Sequence, residues 1–357
     1  MLKKEEFKKT GIEIGLYTLG DLVKDPVNGI AISAGQRMKE IIEAAKLADE
    51  AGLDIFGVGE HHRLDYATSS PAVVLAAIAQ TTKRIKLTSA TTVLSTIDPV
   101  RLFEDFATLD LLSDGRAEII AGRGAFIESF PLFGYDTNDY DALFAENIDL
   151  FLKLNENERI TWNGHFRSPL RNAEIAPRPF QKELPIWVGV GGTPESAERA
   201  GRLGVGMALA ILGGNPMRFK PLVDLYHQAG IEAGYTLEDL KVGVTGHGYF
   251  SKSTQQAKEE FYPYYANYWL DVNRQRGMNS RRISWAEFEQ MTVLDTALFV
   301  GSPQQIVEKI LQQYELFGHQ RFMAQIDIGG LPFKKVAEGI ELLATKIAPI
   351  VRKETSK

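Results

Sequence analysis

Eight short apolar segments recur along the chain, and the stretches between them have the periodicity of amphipathic helices. In the stretch after the first segment, Met38, Ile41, Ala45 and Ala48 fall on one helical face, and Gly52 follows as a helix-ending residue. Near-continuous apolar strands that alternate with such helices are typical of a parallel sheet covered by helices. The eight segments are residues 12–17, 55–58, 85–91, 117–121, 186–190, 205–210, 242–250 and 322–328.

Eight strand–helix units favour a closed barrel, so the sequence predicts an α/β fold of the (β/α)8 TIM type. An open doubly wound sheet is the structural alternative. Because no Pro/Ser/Gly-rich linker and no low-complexity tract divides the chain, residues 1–357 are expected to form a single barrel domain.

Two stretches, 130–184 and 251–297, do not follow the alternation. Insertions that follow barrel strands lie on the C-terminal, catalytic face, so both stretches are predicted to cover an active site. Residues 251–297 are rich in aromatic and charged residues and are interpreted as an insertion that forms a candidate active-site lid. A peripheral helical insertion is the alternative.

Three helices are predicted to begin with a capping residue followed by proline at the first helical position. The capping residues are Asp98, Thr193 and Ser302.

The chain has no cysteine among its 357 residues, which excludes disulfides, thiolate nucleophiles and thiolate metal sites. Its 40 Lys and Arg residues against 46 Asp and Glu residues give a formal charge of −6, and the basic residues are scattered, so nucleic acid is not an expected partner. No apolar run approaches the ~18 residues that cross a bilayer, and the first residues are not signal-like. A cytoplasmic protein without membrane contact is therefore expected.

Glu60, His61 and His62 follow the second apolar segment, where a barrel presents side chains to its active-site mouth. Neighbouring histidines can bind a metal or act as an acid–base pair. Adjacent side chains on an extended backbone point to opposite sides, so these two are not expected to share a metal, and hydrogen bonding inside the barrel is the alternative role. No metal site is predicted, because the other histidines lack metal-ligand spacing.

Arg123 stands between Gly122 and Gly124 directly after the fourth apolar segment. Glycines allow the backbone to approach a ligand closely, and the guanidinium offers five donors suited to a phosphate or a carboxylate. A glycine turn with a surface arginine is the alternative.

Gly191 and Gly192 lead from the fifth apolar segment into the helix predicted at Thr193. A helix N-terminus has unpaired N–H groups and a partial positive charge, so these amides and the hydroxyls of Thr193 and Ser196 could bind an anion. Glu195 would repel an anion unless its side chain points away, and an ordinary capped helix is the alternative. Neither a P-loop nor a dinucleotide-binding motif is present.

In their order and separation, these motifs resemble the bacterial luciferase-like flavin monooxygenase family over roughly residues 12–348. In true luciferases a cysteine precedes the arginine, whereas Gly122 stands here, which argues against light emission. The motifs that carry the resemblance are Glu60-His61-His62, residues 98–116, Gly122-Arg123-Gly124, residues 130–135, Gly164-His165-Phe166, residues 177–179 and 185–189, residues 191–196, and Val300-Gly301-Ser302-Pro303.

The resemblance implies a TIM-type barrel that binds FMN noncovalently, in the reduced form supplied by a separate NAD(P)H:flavin reductase. It also implies that O₂ oxidises a small organic substrate through a C4a-hydroperoxyflavin, and that the protein is a homodimer. His61 matches the family's catalytic histidine, and Glu60 would help form the flavin pocket. The residues that would hold the FMN phosphate are Arg123, Gly124, Ala125, Gly191, Gly192, Thr193 and Ser196.

Two other functions remain open on the same barrel. One is an F420-dependent oxidoreductase that transfers hydride, and the other is a flavin-binding protein without catalysis. The longer anionic tail of F420 calls for additional basic residues at the barrel mouth. The candidates for that role are Arg178, Arg274, Arg276, Arg281 and Arg282.

Overall fold

The computed structural model describes residues 11–275, 278 and 281–356. Its strands agree closely with the apolar segments, and four short strands are added to the eight predicted ones. The strands are β1 (Glu13–Thr18), β2 (Ile55–Val58), β3 (Lys86–Ser89), β4 (Thr92–Val93), β5 (Ala117–Gly122), β6 (Arg159–Trp162), β7 (Leu170–Glu174), β8 (Ile186–Val190), β9 (Gly206–Ala210), β10 (Val242–Phe250), β11 (Phe299–Gly301) and β12 (Arg321–Gln325).

Eight of these strands form a closed parallel barrel in the order β1, β2, β3, β5, β8, β9, β10 and β12. The barrel closes because β12 pairs with both β10 and β1 in parallel register. The predicted (β/α)8 fold is therefore confirmed, and the open sheet is not formed. Of the added strands, β4 pairs with β5, β11 pairs with β10, and β6 and β7 form an antiparallel hairpin.

Helices surround the barrel and bury their apolar faces against the strands in a continuous core. They are α1 (Ala34–Glu50), α2 (Pro71–Thr81), α3 (Pro99–Leu112), α4 (Ser129–Phe133), α5 (Tyr140–Glu156), α6 (Pro194–Arg202), α7 (Lys220–Glu232), α8 (Thr254–Gln275), α9 (Trp285–Met291), α10 (Pro303–Phe317), α11 (Phe333–Leu342) and α12 (Ala348–Thr355).

The three predicted helix starts are confirmed, but their caps differ. The Asp98 carboxylate accepts hydrogen bonds from the first amides of α3, and the Ser302 hydroxyl accepts one from the Gln305 amide of α10. The Thr193 hydroxyl makes no capping hydrogen bond to α6. The amides at the start of α6 therefore lack the side-chain acceptor that the other two helices have.

An ion-pair cluster lies at the N-terminal ends of the barrel strands, with Arg321 and Glu118 buried and Lys86 and Glu13 partly exposed. Arg321 at the start of β12 bonds to Glu118 at 2.7 Å and to Glu13 at 2.6 Å, and its guanidinium lies 4.3 Å from the Trp187 ring centre. Lys86 bonds to Glu118 at 3.1 Å. Burial acts to raise the pKa of Glu118, but the two cations outweigh it and lower the pKa to about 2.

Candidate functional site

A cavity of about 380 Å³ opens among the C-terminal ends of the barrel strands. Of the residues predicted to form the site, Gly192 and Ser196 do not line this cavity, although Ser196 bonds to a residue that does. The predicted residues that line it are Glu60, His61, Arg123, Gly124, Ala125, Gly191 and Thr193. The structure thus brings together segments that are more than 130 positions apart in the sequence.

Arg123 lies where the end of β5 meets the start of α6. Its Nη2 donates a 2.9 Å hydrogen bond to the Ser196 hydroxyl, and its Nη1 pairs with the exposed carboxylate of Asp141. The Tyr140 ring centre is 5.1 Å from the guanidinium carbon, and the Tyr140 hydroxyl donates to the Gly124 carbonyl at 2.7 Å. The two predicted anion-binding segments therefore meet at one side of the cavity.

A second arginine, which the sequence analysis did not identify, lies beside the first. Arg199 follows Ser196 by one helical turn of α6, so both side chains are on the same face. Its Nη1 is buried and has no hydrogen-bond partner among the residues that the structure describes. Burial, and then the neighbouring charge of Arg123, lower the pKa of Arg199. Arg199 does not line the cavity itself, and its guanidinium lies 5.5 Å from the Phe144 ring centre. An anion held by Arg123 could also accept a hydrogen bond from the unpaired Nη1 of Arg199.

The start of α6 is open to a ligand. A methyl group added to Gly191 or Gly192 would meet no atom of the described residues within 4 Å, and Thr193 is exposed. Glu195, the residue expected to disfavour an anion, is exposed and does not line the cavity. Its charge therefore faces solvent, where it is screened.

His61 lies on the cavity wall between an aromatic ring and a carboxylate. Its ring stacks on Tyr66 with a centroid distance of 4.1 Å, and its Nδ1 is 3.4 Å from Glu128 Oε1. Burial acts to raise the pKa of Glu128, but hydrogen bonding to His61 contributes to a net lowering. Glu128 is thus an ionised partner that holds the imidazole by one nitrogen. No motif in the sequence distinguishes Glu128.

Glu60 connects two loops at the cavity. Its carboxylate accepts hydrogen bonds from His62 Nε2 at 2.8 Å and from the Val93 amide at 2.9 Å. These bonds fix the end of β2 against β4. The two adjacent histidines have different carboxylate partners, as expected for neighbouring side chains that point to opposite sides of an extended backbone.

Most of the chain is similar to one known protein family. A family model described as luciferase-like monooxygenase matches residues 20–320. The chain belongs to the luciferase-like monooxygenase family. A solved monooxygenase of this kind, RslO1 from Streptomyces bottropensis, is 25% identical with a TM-score of 0.81, and the match covers 95% of this chain and 99% of that one.

Two curated relatives of this luciferase-like protein differ in their cofactors. The oxygenase component of the flavin-dependent trigonelline monooxygenase from Acinetobacter baylyi is 24% identical, over 88% of this chain and 90% of its own length. The F420-dependent glucose-6-phosphate dehydrogenase from Amycolatopsis mediterranei is 29% identical, over 57% of this chain and 62% of its own. Membership of the family therefore indicates an oxidoreductase and leaves the cofactor to be argued from the site.

The two segments predicted to cover the site differ in how much of each reaches the cavity of this luciferase-like barrel. From 251–297, Tyr268 and Val272 of α8 line the cavity, so this helix forms part of the wall. Positions 276, 277, 279 and 280 of the segment lie outside the described residues. From 130–184, Tyr140 lines the cavity, but no described residue of 141–184 does. The prediction that the whole stretch covers the site is wrong, because α5 and the β6–β7 hairpin pack on the outside of the barrel.

Among the described residues, no group of three or more histidine, aspartate or glutamate side chains is arranged to hold a metal ion. No helix in that part of the chain is both long enough and apolar enough to cross a membrane.

Proposed function

We propose that this protein is a flavin-dependent monooxygenase that binds FMN noncovalently and uses its reduced form with O₂ to oxidise a small organic substrate. The observation that carries the proposal is the Arg123 guanidinium beside the open start of α6, with Arg199 next to it on that helix, at the edge of a cavity that His61 also lines. A phosphate monoester is dianionic or nearly so at neutral pH. Its oxygens would accept hydrogen bonds from both arginines and from the unpaired amides at the start of α6.

In this proposal Arg123, Arg199 and Ser196 hold the phosphate, with the amides of Gly191 to Thr193. The backbone of Gly124 and Ala125 and the bonded carboxylate of Glu60 shape the cavity beside it. Bound reduced flavin supplies the electrons that activate O₂. His61 gives or takes a proton at its Nε2, because Glu128 occupies its Nδ1.

FMN is favoured over F420 by the positions of the arginines. Arg178, a candidate for the longer F420 tail, donates to backbone carbonyls at the end of α5. Arg274 pairs with Asp271, Arg281 pairs with Glu287, and Arg282 donates to the Pro263 carbonyl. None of these four lines the cavity, and each has its own partner away from Arg123, whereas Arg199 adjoins Arg123. The fifth candidate, Arg276, lies outside the described residues.

Binding titrations test the cofactor. We expect FMN to bind more tightly than riboflavin, and Arg123→Ala to weaken FMN by roughly 10- to 100-fold, the scale of a hydrogen bond between charged groups, while riboflavin is unaffected. Arg178→Ala is the matched control, since it removes an arginine outside the cavity. Tight binding of F420 without binding of FMN would overturn the proposal.

Catalysis is tested with reduced FMN and O₂. An oxygenase should alter the rate at which reduced FMN is reoxidised and should incorporate oxygen into an organic product. A flavin-binding protein without catalysis should release only H₂O₂, whatever organic compound is added. A separate flavin reductase and a homodimer are part of the proposal, and a reductase-coupled assay and light scattering test them.

A further inference from the structure

A second cavity, with a volume of about 340 Å³, lies beside the C-terminal half of α10. Residues 215–217 and 294–296 form its other sides, and within the described part of the chain no barrel strand lines it. The two cavities have no lining residue in common among the described residues, so they are separate spaces. A volume of this size is within the range of small-molecule sites.

The lining of this second cavity includes a buried amide without a partner. Gln313 is 2% exposed, and neither its Oε1 nor its Nε2 has a hydrogen-bond partner among the residues described. The buried ring of His319 bonds to the backbone of Gln313, so it does not pair with the amide. Buried polar side chains in native proteins are nearly always paired, and an unpaired one that lines a cavity indicates a ligand.

The buried lysine in the same lining already has its full set of partners. Lys309 Nζ donates to the Leu298 carbonyl at 2.7 Å, to the Thr296 carbonyl at 3.1 Å and to the Thr296 hydroxyl at 3.2 Å. An ammonium group has three N–H donors, so none is left for a ligand. Gln313 lies one helical turn further along α10 and is therefore the buried polar group that a ligand could use.

The charges around the cavity disfavour an anion. Asp295 and Glu315 line it and are exposed, whereas Lys309 is the single cation of the described lining. The C-terminal end of α10 adds partial negative charge. The exposed side chains of Met217 and Leu294 give the opening an apolar surface.

We propose that this cavity binds an uncharged primary carboxamide with an apolar body, and that the carboxamide pairs with the side-chain amide of Gln313. In such a pair Gln313 Oε1 accepts from the ligand N–H group and Nε2 donates to the ligand carbonyl, so both atoms gain a partner. A carboxylate of the same shape has no donor for Oε1, and the acidic side chains repel its charge. Because this cavity is separate from the barrel mouth, the inference does not depend on the proposed function.

Calorimetric titration with benzamide tests the site, and benzoate is the anionic probe of matched shape. The variant is Gln313→Met, which keeps an unbranched side chain of similar length and removes the amide. The matched control is Gln305→Met on the same helix. Gln305 lies outside the cavity, and its amide bonds to the Thr254 hydroxyl and to the Thr292 carbonyl.

We expect benzamide to bind the unmodified protein more tightly than benzoate does. Gln313→Met should weaken benzamide binding by roughly 3- to 10-fold, the scale of a neutral hydrogen bond, and Gln305→Met should leave it unchanged. Thermal melting is a second readout, because an apolar group can replace an unpaired buried amide without loss of stability. The Tm of Gln313→Met should therefore not fall, whereas that of Gln305→Met should.

Nuclear magnetic resonance of the unmodified protein, labelled with ¹³C at the methionine methyl groups, tests the location. Met217 lines the second cavity, and its signal is assigned by its absence from the spectrum of Met217→Leu. Benzamide should shift this signal, which binding at the barrel mouth alone would not do.

Equal affinity of Gln313→Met and the unmodified protein for benzamide would overturn the site, as would benzoate that binds as tightly as benzamide. An unshifted Met217 signal at saturating benzamide would also overturn it. A fall in the Tm of Gln313→Met as large as that of Gln305→Met, or a failure of Gln313→Met to fold, would show that the amide is structural and would refute the proposal.

Discussion

At the scale of single residues, the position of His61 is set by its neighbours. The ring is fixed from one face by Tyr66 and from one nitrogen by Glu128, which leaves the other nitrogen for the cavity. Glu128 also lines the cavity, and its contact with His61 Nδ1 makes it a positioning residue for the imidazole.

His61→Ala is expected to lower the rate of oxidation with supplied reduced FMN by roughly 10² to 10⁴, the usual scale of general acid–base catalysis. Glu128→Gln keeps the shape of the side chain and removes its charge, and should lower kcat by roughly 10-fold or more. In both variants the FMN dissociation constant should remain that of the unmodified protein. Retained turnover in His61→Ala would remove the histidine from the mechanism.

Position 122 requires a glycine because the neighbouring Thr91 side chain leaves no room for a Cβ atom, and not because of the backbone conformation. A Cβ atom at this position would lie 2.6 Å from the Thr91 hydroxyl on the neighbouring cavity wall. The cysteine of true luciferases therefore cannot be accommodated here without a shift at Thr91.

Gly122→Ala is expected to lower the free energy of unfolding by about 1–3 kcal/mol, as overpacking does. The double variant Gly122→Ala with Thr91→Ser, which removes one of the contacting atoms, should recover part of that loss. Urea unfolding measures both. If Gly122→Ala is as stable as the unmodified protein, Thr91 can move aside without a loss of stability.

At the scale of elements, α8 combines a structural face and a cavity face. Tyr262 packs against Trp285 and Phe288 of α9, whereas Tyr268 lines the cavity. A wall that excludes water slows the unproductive release of H₂O₂ from reduced flavin and O₂.

Tyr268→Ala should therefore increase the fraction of reduced FMN that is lost as H₂O₂, and a peroxidase-coupled assay measures this fraction. Tyr262→Ala makes an equal truncation in the same helix without opening the cavity. If both variants release H₂O₂ equally, α8 acts only as structural support.

The sequence predicts the barrel elements well because each strand is short, apolar and followed by a helix with a clear apolar face. It does not predict β6 and β7, whose residues are largely exposed and carry no continuous apolar run. The predicted site residues are local motifs that follow strands. Arg199 and Glu128 were missed because they reach the site only through contacts between distant segments.

At the scale of the whole molecule, stability and chemistry occupy opposite ends of the barrel. Breaking a buried ion pair by removing one partner costs about 3–5 kcal/mol, because a buried charge is left uncompensated. An exposed pair such as Arg159 with Glu174 contributes little.

Because Arg321 keeps its pair with Glu13, Glu118→Gln is expected to lower the free energy of unfolding by about 1.5–3 kcal/mol at neutral pH, the scale of hydrogen bonds to a charged group, and Glu174→Gln by less than about 1 kcal/mol. The pKa of Glu118 is lowered from 4.5 to about 2, so its contribution is complete above pH 4.5 and is lost as the pH falls towards 2. The difference between Glu118→Gln and the unmodified protein should shrink over that interval. A difference that is constant with pH would contradict this assignment.

The cluster of Glu118, Arg321 and Trp187 also has a kinetic consequence. Within the described part of the chain, these side chains pack together inside the barrel at the end opposite the cavity. Under the proposed function, FMN, O₂ and the organic substrate would then enter and leave through the same opening, so the deepest-bound of them would bind first and dissociate last.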